Sequence, residues 1–98
     1  MTKSRWTILS NHGRILAYLA KHPTSTNQVI AQEAGLSIHG VQKILDELEE
    51  EGYIRREKVG RCNHYVVNPE IHMRHRLEKK YSVGKILTAI GAMPKRVG

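Results

Sequence analysis

The sequence contains no phenylalanine, one tryptophan and one cysteine, and it has nine acidic residues against sixteen lysines and arginines in a chain of 98. Without Phe, the core has to come mostly from Leu, Ile, Val and Ala, as small helical domains commonly arrange it. The lone Cys62 excludes an internal disulfide and fits a reducing compartment, so the cytoplasm is the expected location. No apolar stretch approaches the roughly 20 residues that a membrane span needs. The opening residues up to Trp6 lead into no apolar run of signal-peptide length, and no lipidation motif is present. Glycine-rich phosphate loops, a nucleophile elbow and paired carboxylates on a rigid cleft are also missing. A chain this short forms one domain too small to enclose a sizeable substrate pocket, so neither an enzyme nor a cofactor is expected.

What the chain does have is positive charge, distributed unevenly. The formal net charge is +7, yet Asp46, Glu47, Glu49, Glu50 and Glu51 crowd into six residues that hold no Lys or Arg, which leaves +12 on the rest. Such a surface attracts polyanions through long-range attraction and counterion release. A basic surface kept only for solubility is the competing explanation.

Hydrophobic spacing predicts three helices. Residues 7–21 place Ile8, Ile15, Leu16 and Leu19 at helical intervals, with Ser10 or Asn11 as caps and Pro23 beyond the end. Thr26 caps a short second helix carrying Val29, Ile30, Ala31 and Ala34, which Gly35 stops. Ser37 caps a third, with Val41, Ile44, Leu45 and Leu48 inward and Gly52 at its end. The second and third helices are therefore joined by a turn of about three residues containing glycine, as in a helix-turn-helix. The period then changes to that of two short strands, 53–58 and 64–68, flanking a glycine-containing loop at 59–63. Asn68, Pro69 and Glu70 read as the start of a polar, basic helix running to about Lys80. Ser82 caps a last helix with the stripe Val83, Ile86, Leu87 and Ile90, stopped by Gly91 and Pro94.

This order sets one capped helix beside one basic hairpin. In a helix-turn-helix the second helix of the pair points its N-terminal residues at base edges in the major groove. Here that end presents Ser37, Ile38, His39, Gly40, Gln42 and Lys43. Gln42 suits a bidentate contact to adenine, and Lys43 a contact to guanine or phosphate. Gly40 within a helix costs about 1 kcal/mol relative to alanine, so either close approach to DNA or close packing against the second helix must offset it. The acids at 46–51 sit at the far end, where phosphate would repel them. Arg55, Arg56, Lys58 and Arg61, with Asn63, make the hairpin basic, and Arg61 at its tip is the strongest candidate for the minor groove or a phosphate. A solvated hairpin protecting its edge with charge is the alternative. Thr26 and Asn27, at the start of the second helix, complete the candidate contact set.

From Trp6 through Gln28-Val29-Ile30-Ala31, Gly35-Leu36-Ser37, Leu45-Asp46-Glu47-Leu48-Glu49, Gly52-Tyr53-Ile54-Arg55-Arg56 and Gly60-Arg61-Cys62-Asn63-His64-Tyr65, residues 6–68 resemble the winged-helix domain of ArsR- and MarR-type bacterial and archaeal transcription regulators. The match covers about two-thirds of the chain. The likeness extends to short stand-alone prokaryotic winged-helix proteins. It implies a mainly α fold with a small β-hairpin wing, binding to double-stranded DNA, and usually a homodimer on a pseudo-palindromic site. It also implies that residues 37–52 form the recognition helix and that Gly60 and Arg61 form the wing tip. The expected organisation is thus a winged helix-turn-helix DNA-binding domain at 1–68 and a C-terminal helical extension at 69–98. Trp6, Ile8 and Leu9, with Val83, Ile86, Leu87 and Ile90, exceed what one small core obviously needs, which marks both ends as a dimerisation surface. The alternative is that the terminal helix folds back on its own domain.

Other features carry less. His72 and His75 are three apart, but two ligands beside Arg74 and Arg76 do not make a metal site, and none is expected. Cys62 beside Arg61 has the makings of an activated thiol, although an isolated exposed cysteine is more often incidental. A sequence-tolerant architectural DNA-binding protein and a winged helix used for protein contact remain as alternatives to a regulator. The wing arginines argue against the latter.

Overall fold

A computed structural model describes residues 7–92 of the protein. Three helices come first: α1 (Asn11–Lys21), α2 (Asn27–Ala34) and α3 (Ile38–Glu50). Each begins at a hydroxyl side chain that accepts from a backbone N–H three residues on: Ser10 from Gly13, Thr26 from Val29 and Ser37 from Gly40. These caps satisfy N–H groups that have no partner within the helix. α2 ends at Gly35, whose φ of 71° lies in the left-handed region where glycine carries no Cβ penalty.

The hairpin follows as β1 (Ile54–Val59) and β2 (Cys62–Val67), antiparallel and in register from Ile54 opposite Val67 to Val59 opposite Cys62. The loop is therefore Gly60 and Arg61 alone, tighter than the five residues expected. Gly60 has φ 64°, the sign that a II′ hairpin turn needs at its first position. β2 is tied to the turn between α1 and α2 by a Tyr65 N–H donated to the Pro23 carbonyl at 2.8 Å.

One core unites these elements. Ile15, Leu19, Ile30, Val41 and Leu45 are essentially inaccessible, and Tyr53, Ile54, Tyr65 and Val67 join them from the hairpin. The Tyr53 hydroxyl donates to the His72 carbonyl, and burial raises its pKa above the ordinary phenol value.

The basic helix expected from Asn68 to about Lys80 does not form. Asn68 Oδ1 accepts from the Glu70 N–H in a local turn instead of capping a helix. The chain then loops out through turns at 75–81 and returns, with His72 bridged to Ser82, Met73 N–H donating to the Tyr81 carbonyl and Val83 N–H to the Ile71 carbonyl. The physical reason is the spacing of apolar residues. Ile71 and Met73, two apart, both pack on the core. A helix would turn them to different faces and offer no continuous stripe. The short helix α4 (Val83–Ala89) closes the described chain, with Val83, Leu87 and the following Ala92 in the same core as α1–α3.

Candidate nucleic-acid interface

α3 is inserted by its buried row, Val41, Ile44, Leu45 and Leu48, which leaves the opposite side to solvent. His39, Gln42 and Lys43 stand three and four apart, so they share one face, and all are exposed. Ile38 beside them is 47% exposed. Ser37 is occupied as the helix cap, and Gly40 supplies the N–H that it accepts. A Cβ added at Gly40 would meet Ser37 Oγ at 3.2 Å and no other atom within 4 Å. The close packing against α2 considered for this glycine therefore has no partner in the structure.

The wing reaches α3 through Arg56, which meets Asp46 and Glu49 in the second half of the helix. Period-two alternation puts Ile54, Arg56 and Lys58 on the side of β1 that faces the core, with Arg55, Glu57 and Val59 on the other. Arg55 is paired with Glu57 at 2.7 Å on the outer side. Arg56 turns inward, 2.6 Å from Asp46 and 3.3 Å from Glu49. Lys58, opposite Asn63, and Arg61 in the loop are exposed and make no ion pair among the described residues. The cations left for a partner are thus those nearest the tip.

At the start of α2, Thr26 is exposed but its hydroxyl caps the helix. Asn27 is half-buried, with its Oδ1 accepting from the Tyr65 hydroxyl at 3.2 Å. The expected contact residues thus fall into two groups. His39, Gln42, Lys43, Lys58, Arg61 and, less openly, Asn63 are accessible to a partner, whereas Thr26, Asn27, Ser37, Arg55 and Arg56 are engaged within the protein. Tyr65, Asp46 and Glu49 each hold one of the engaged residues, a role that the sequence did not give them.

At the other end of α3 lies an apolar groove of about 540 Å³ lined by Leu9, Leu16, Tyr53 and Met73, with Ile8, Ile86 and Ile90 from the two ends of the described chain. Ile8 is 87% exposed, Ile90 47% and Ile86 38%, whereas Val83 and Leu87 are buried. Trp6 lies outside the described residues. Among the described residues no three of His, Cys, Asp or Glu gather closely enough to hold a metal ion. No helix there is long and apolar enough to cross a membrane.

A profile described as winged helix-turn-helix DNA-binding matches residues 8–55, from the lead-in to α1 to the start of the wing. The match agrees with the fold, a winged helix-turn-helix. An uncharacterized protein of Methanocaldococcus jannaschii is 35% identical over 66 residues, which make up 66% of this chain and 14% of that protein. ZitR of Lactococcus lactis, a zinc-responsive MarR family member whose structure was solved in complex with DNA, superposes with a TM-score of 0.55 at 27% identity, over 69% of this chain and 48% of its own. FabT of Streptococcus pneumoniae, also solved with DNA, superposes with a TM-score of 0.56 over 95% of this chain and 68% of its own; at 24% identity it speaks for the fold alone. This chain thus spans about half of ZitR and a small part of the archaeal protein. In the winged-helix frame, α3 occupies the place of the recognition helix, and Gly60 and Arg61 form the wing tip.

Proposed function

We propose that this protein is a transcription regulator that binds double-stranded DNA, with α3 in the major groove and the wing tip on the adjoining minor groove or phosphates. The observation that carries this reading is the exposed face of His39, Gln42 and Lys43 on α3, the helix that Arg56 joins to a hairpin whose tip cations, Lys58 and Arg61, make no ion pair among the described residues. Ile38 adds an apolar group suited to a thymine methyl. Side chains able to read base edges favour a sequence-specific regulator over an architectural protein that grips phosphate alone. The DNA-bound structure of ZitR supports the same docking. The activity is binding rather than catalysis, and the setting is the cytoplasm.

We further propose a homodimer in which the exposed Ile8, Ile86 and Ile90 of two copies meet, since two-fold pairing doubles the base contacts of a lone winged helix. Val83 and Leu87, which the sequence placed in the same surface, contribute to the domain's own core instead. Sedimentation of the wild type and of the Ile86→Asp, Ile90→Asp double variant is the check, and a wild type that stays monomeric at high concentration overturns the dimer.

Titration of a mixed pool of duplexes from low to physiological salt tests the DNA reading. We expect affinity to fall steeply with salt, by about 0.9 log units per log unit of salt for each phosphate neutralised. The specificity ratio at physiological salt separates regulator from architectural protein. Absence of binding at low salt overturns the function.

A further inference from the structure

Arg56 sits on the wing, carries a positive charge and belongs to the candidate DNA-contact set, yet its guanidinium is directed into the protein. Its side chain is only 25% exposed. Nη2 lies 2.6 Å from Asp46 Oδ1, and Nε lies 3.3 Å from Glu49 Oε1 on the next turn of α3. The Nε contact is an ion pair without a hydrogen bond, and this buried N–H has no hydrogen-bond partner among the described residues. The guanidinium carbon stands 6.0 Å from the centre of the Tyr65 ring, directly across the hairpin. The Tyr65 hydroxyl donates in turn to Asn27 at the first position of α2.

We infer that Arg56 is a positioning residue, which clamps the wing to the recognition helix and so sets the separation between the two elements that the proposed function places on DNA. Three features support this. The acids it holds lie on the turns of α3 that follow Gln42 and Lys43, so a shift of the hairpin is felt by the reading face. The chain Asn27, Tyr65, Arg56, Asp46 and Glu49 links both helices of the helix-turn-helix to both strands of the wing. Arginine also suits the place, because its planar fork reaches two carboxylates while its face packs near an aromatic ring; a lysine would offer one point charge. Arg55, next to it in the chain and on the outer side, pairs among the described residues only with Glu57 and links no two elements.

The inference rests on the DNA-binding reading for its consequence, but the clamp can be measured without DNA. In the free protein, residual dipolar couplings report how well the wing is oriented relative to α3. We expect the Asp46→Asn, Glu49→Gln double variant to lose wing order while α1–α3 keep theirs, and unchanged wing order would overturn the clamp. On DNA, the direction of the effect is decisive. If Arg56 touches phosphate, removing two nearby negative charges and releasing the guanidinium must strengthen binding. If Arg56 positions the wing, the same change weakens binding, by about three- to tenfold for a clamp of surface-exposed acids. It also removes hydroxyl-radical protection at the wing while leaving that at the major groove. Arg56→Met should match this loss and add nothing to the double variant, with Arg56→Lys recovering part of it. Tighter or unchanged binding by the double variant overturns the inference. Lost wing order together with no duplex binding by the wild type leaves the clamp standing and overturns the function instead.

Discussion

The two ends of α3 are made of different chemistry. The N-terminal end exposes Ile38, His39, Gln42 and Lys43, carries no acid and makes no ion pair among the described residues. The C-terminal end carries Asp46, Glu47, Glu49 and Glu50, with Glu51 as its cap. Of these, Asp46 and Glu49 hold Arg56, and Glu47 lies 2.8 Å from the ring of His12. Carboxylates are unfavourable at a helix C-terminus, where the dipole is negative, so their presence there calls for compensation. Arg56 of β1 supplies it for Asp46 and Glu49, and Glu47 is met by the His12 ring of α1. One end of the helix is left open to a partner, while the other attaches the helix to its own domain. Between them the row from Val41 to Leu48 runs through the core and makes the two ends a single rigid body.

The strongest way to break this contrast is to remove what joins the ends. Leu45 is fully buried, and Leu45→Ala should destabilise the fold by about 2–5 kcal/mol, through lost burial and the cavity left behind. Denaturant unfolding reads this as a lower midpoint at unchanged slope. A loss below about 1 kcal/mol would mean that α3 is not anchored by this row. Next in size are the reading residues. Gln42→Ala and Lys43→Ala should cost about 1–3 kcal/mol on the preferred sequence and much less on mismatched duplexes. Arg61→Ala should weaken all duplexes alike and lower the salt slope by about one. Competition binding on matched and mismatched sites separates these outcomes, and equal losses for all three variants would erase the division between helix and wing.

Much of this was legible in the residues. The helices α1, α2 and α3 follow from apolar spacing and three capping hydroxyls, signals carried within a few residues of one another. The hairpin follows from a change of period and Gly60. The segment after it did not, because Asn68, Pro69 and Glu70 open a turn as readily as a helix. What decided between them was the packing of Ile71 and Met73 on a core assembled from distant residues. The ion pairs of Arg56 were not legible for a related reason: its charge is plain in the sequence, but its partners lie ten and seven residues back, on another element. The likeness to winged-helix regulators gave the frame of the site, whereas the sorting of its residues into outward and engaged groups needed coordinates.

The smallest expected effect concerns Gly40, on the reading end. Helix propensity alone favours alanine there by about 1 kcal/mol. Against this, a Cβ would sit 3.2 Å from Ser37 Oγ, which must move by a few tenths of an ångström while still accepting from the residue 40 N–H. Losing such a cap outright typically costs about 1 kcal/mol and here it is only shifted, so Gly40→Ala should leave stability unchanged or raise it slightly. No other atom lies near enough to object. If glycine is kept for the approach of DNA, the same methyl must lower affinity, by a few-fold, with no loss of melting temperature. Thermal melting and duplex titration on one preparation read both quantities. A variant that melts higher and binds equally well removes close approach as the reason for the glycine. A variant that melts several degrees lower assigns the glycine to the Ser37 cap, and places the boundary between the attached and the open part of α3 one turn further along.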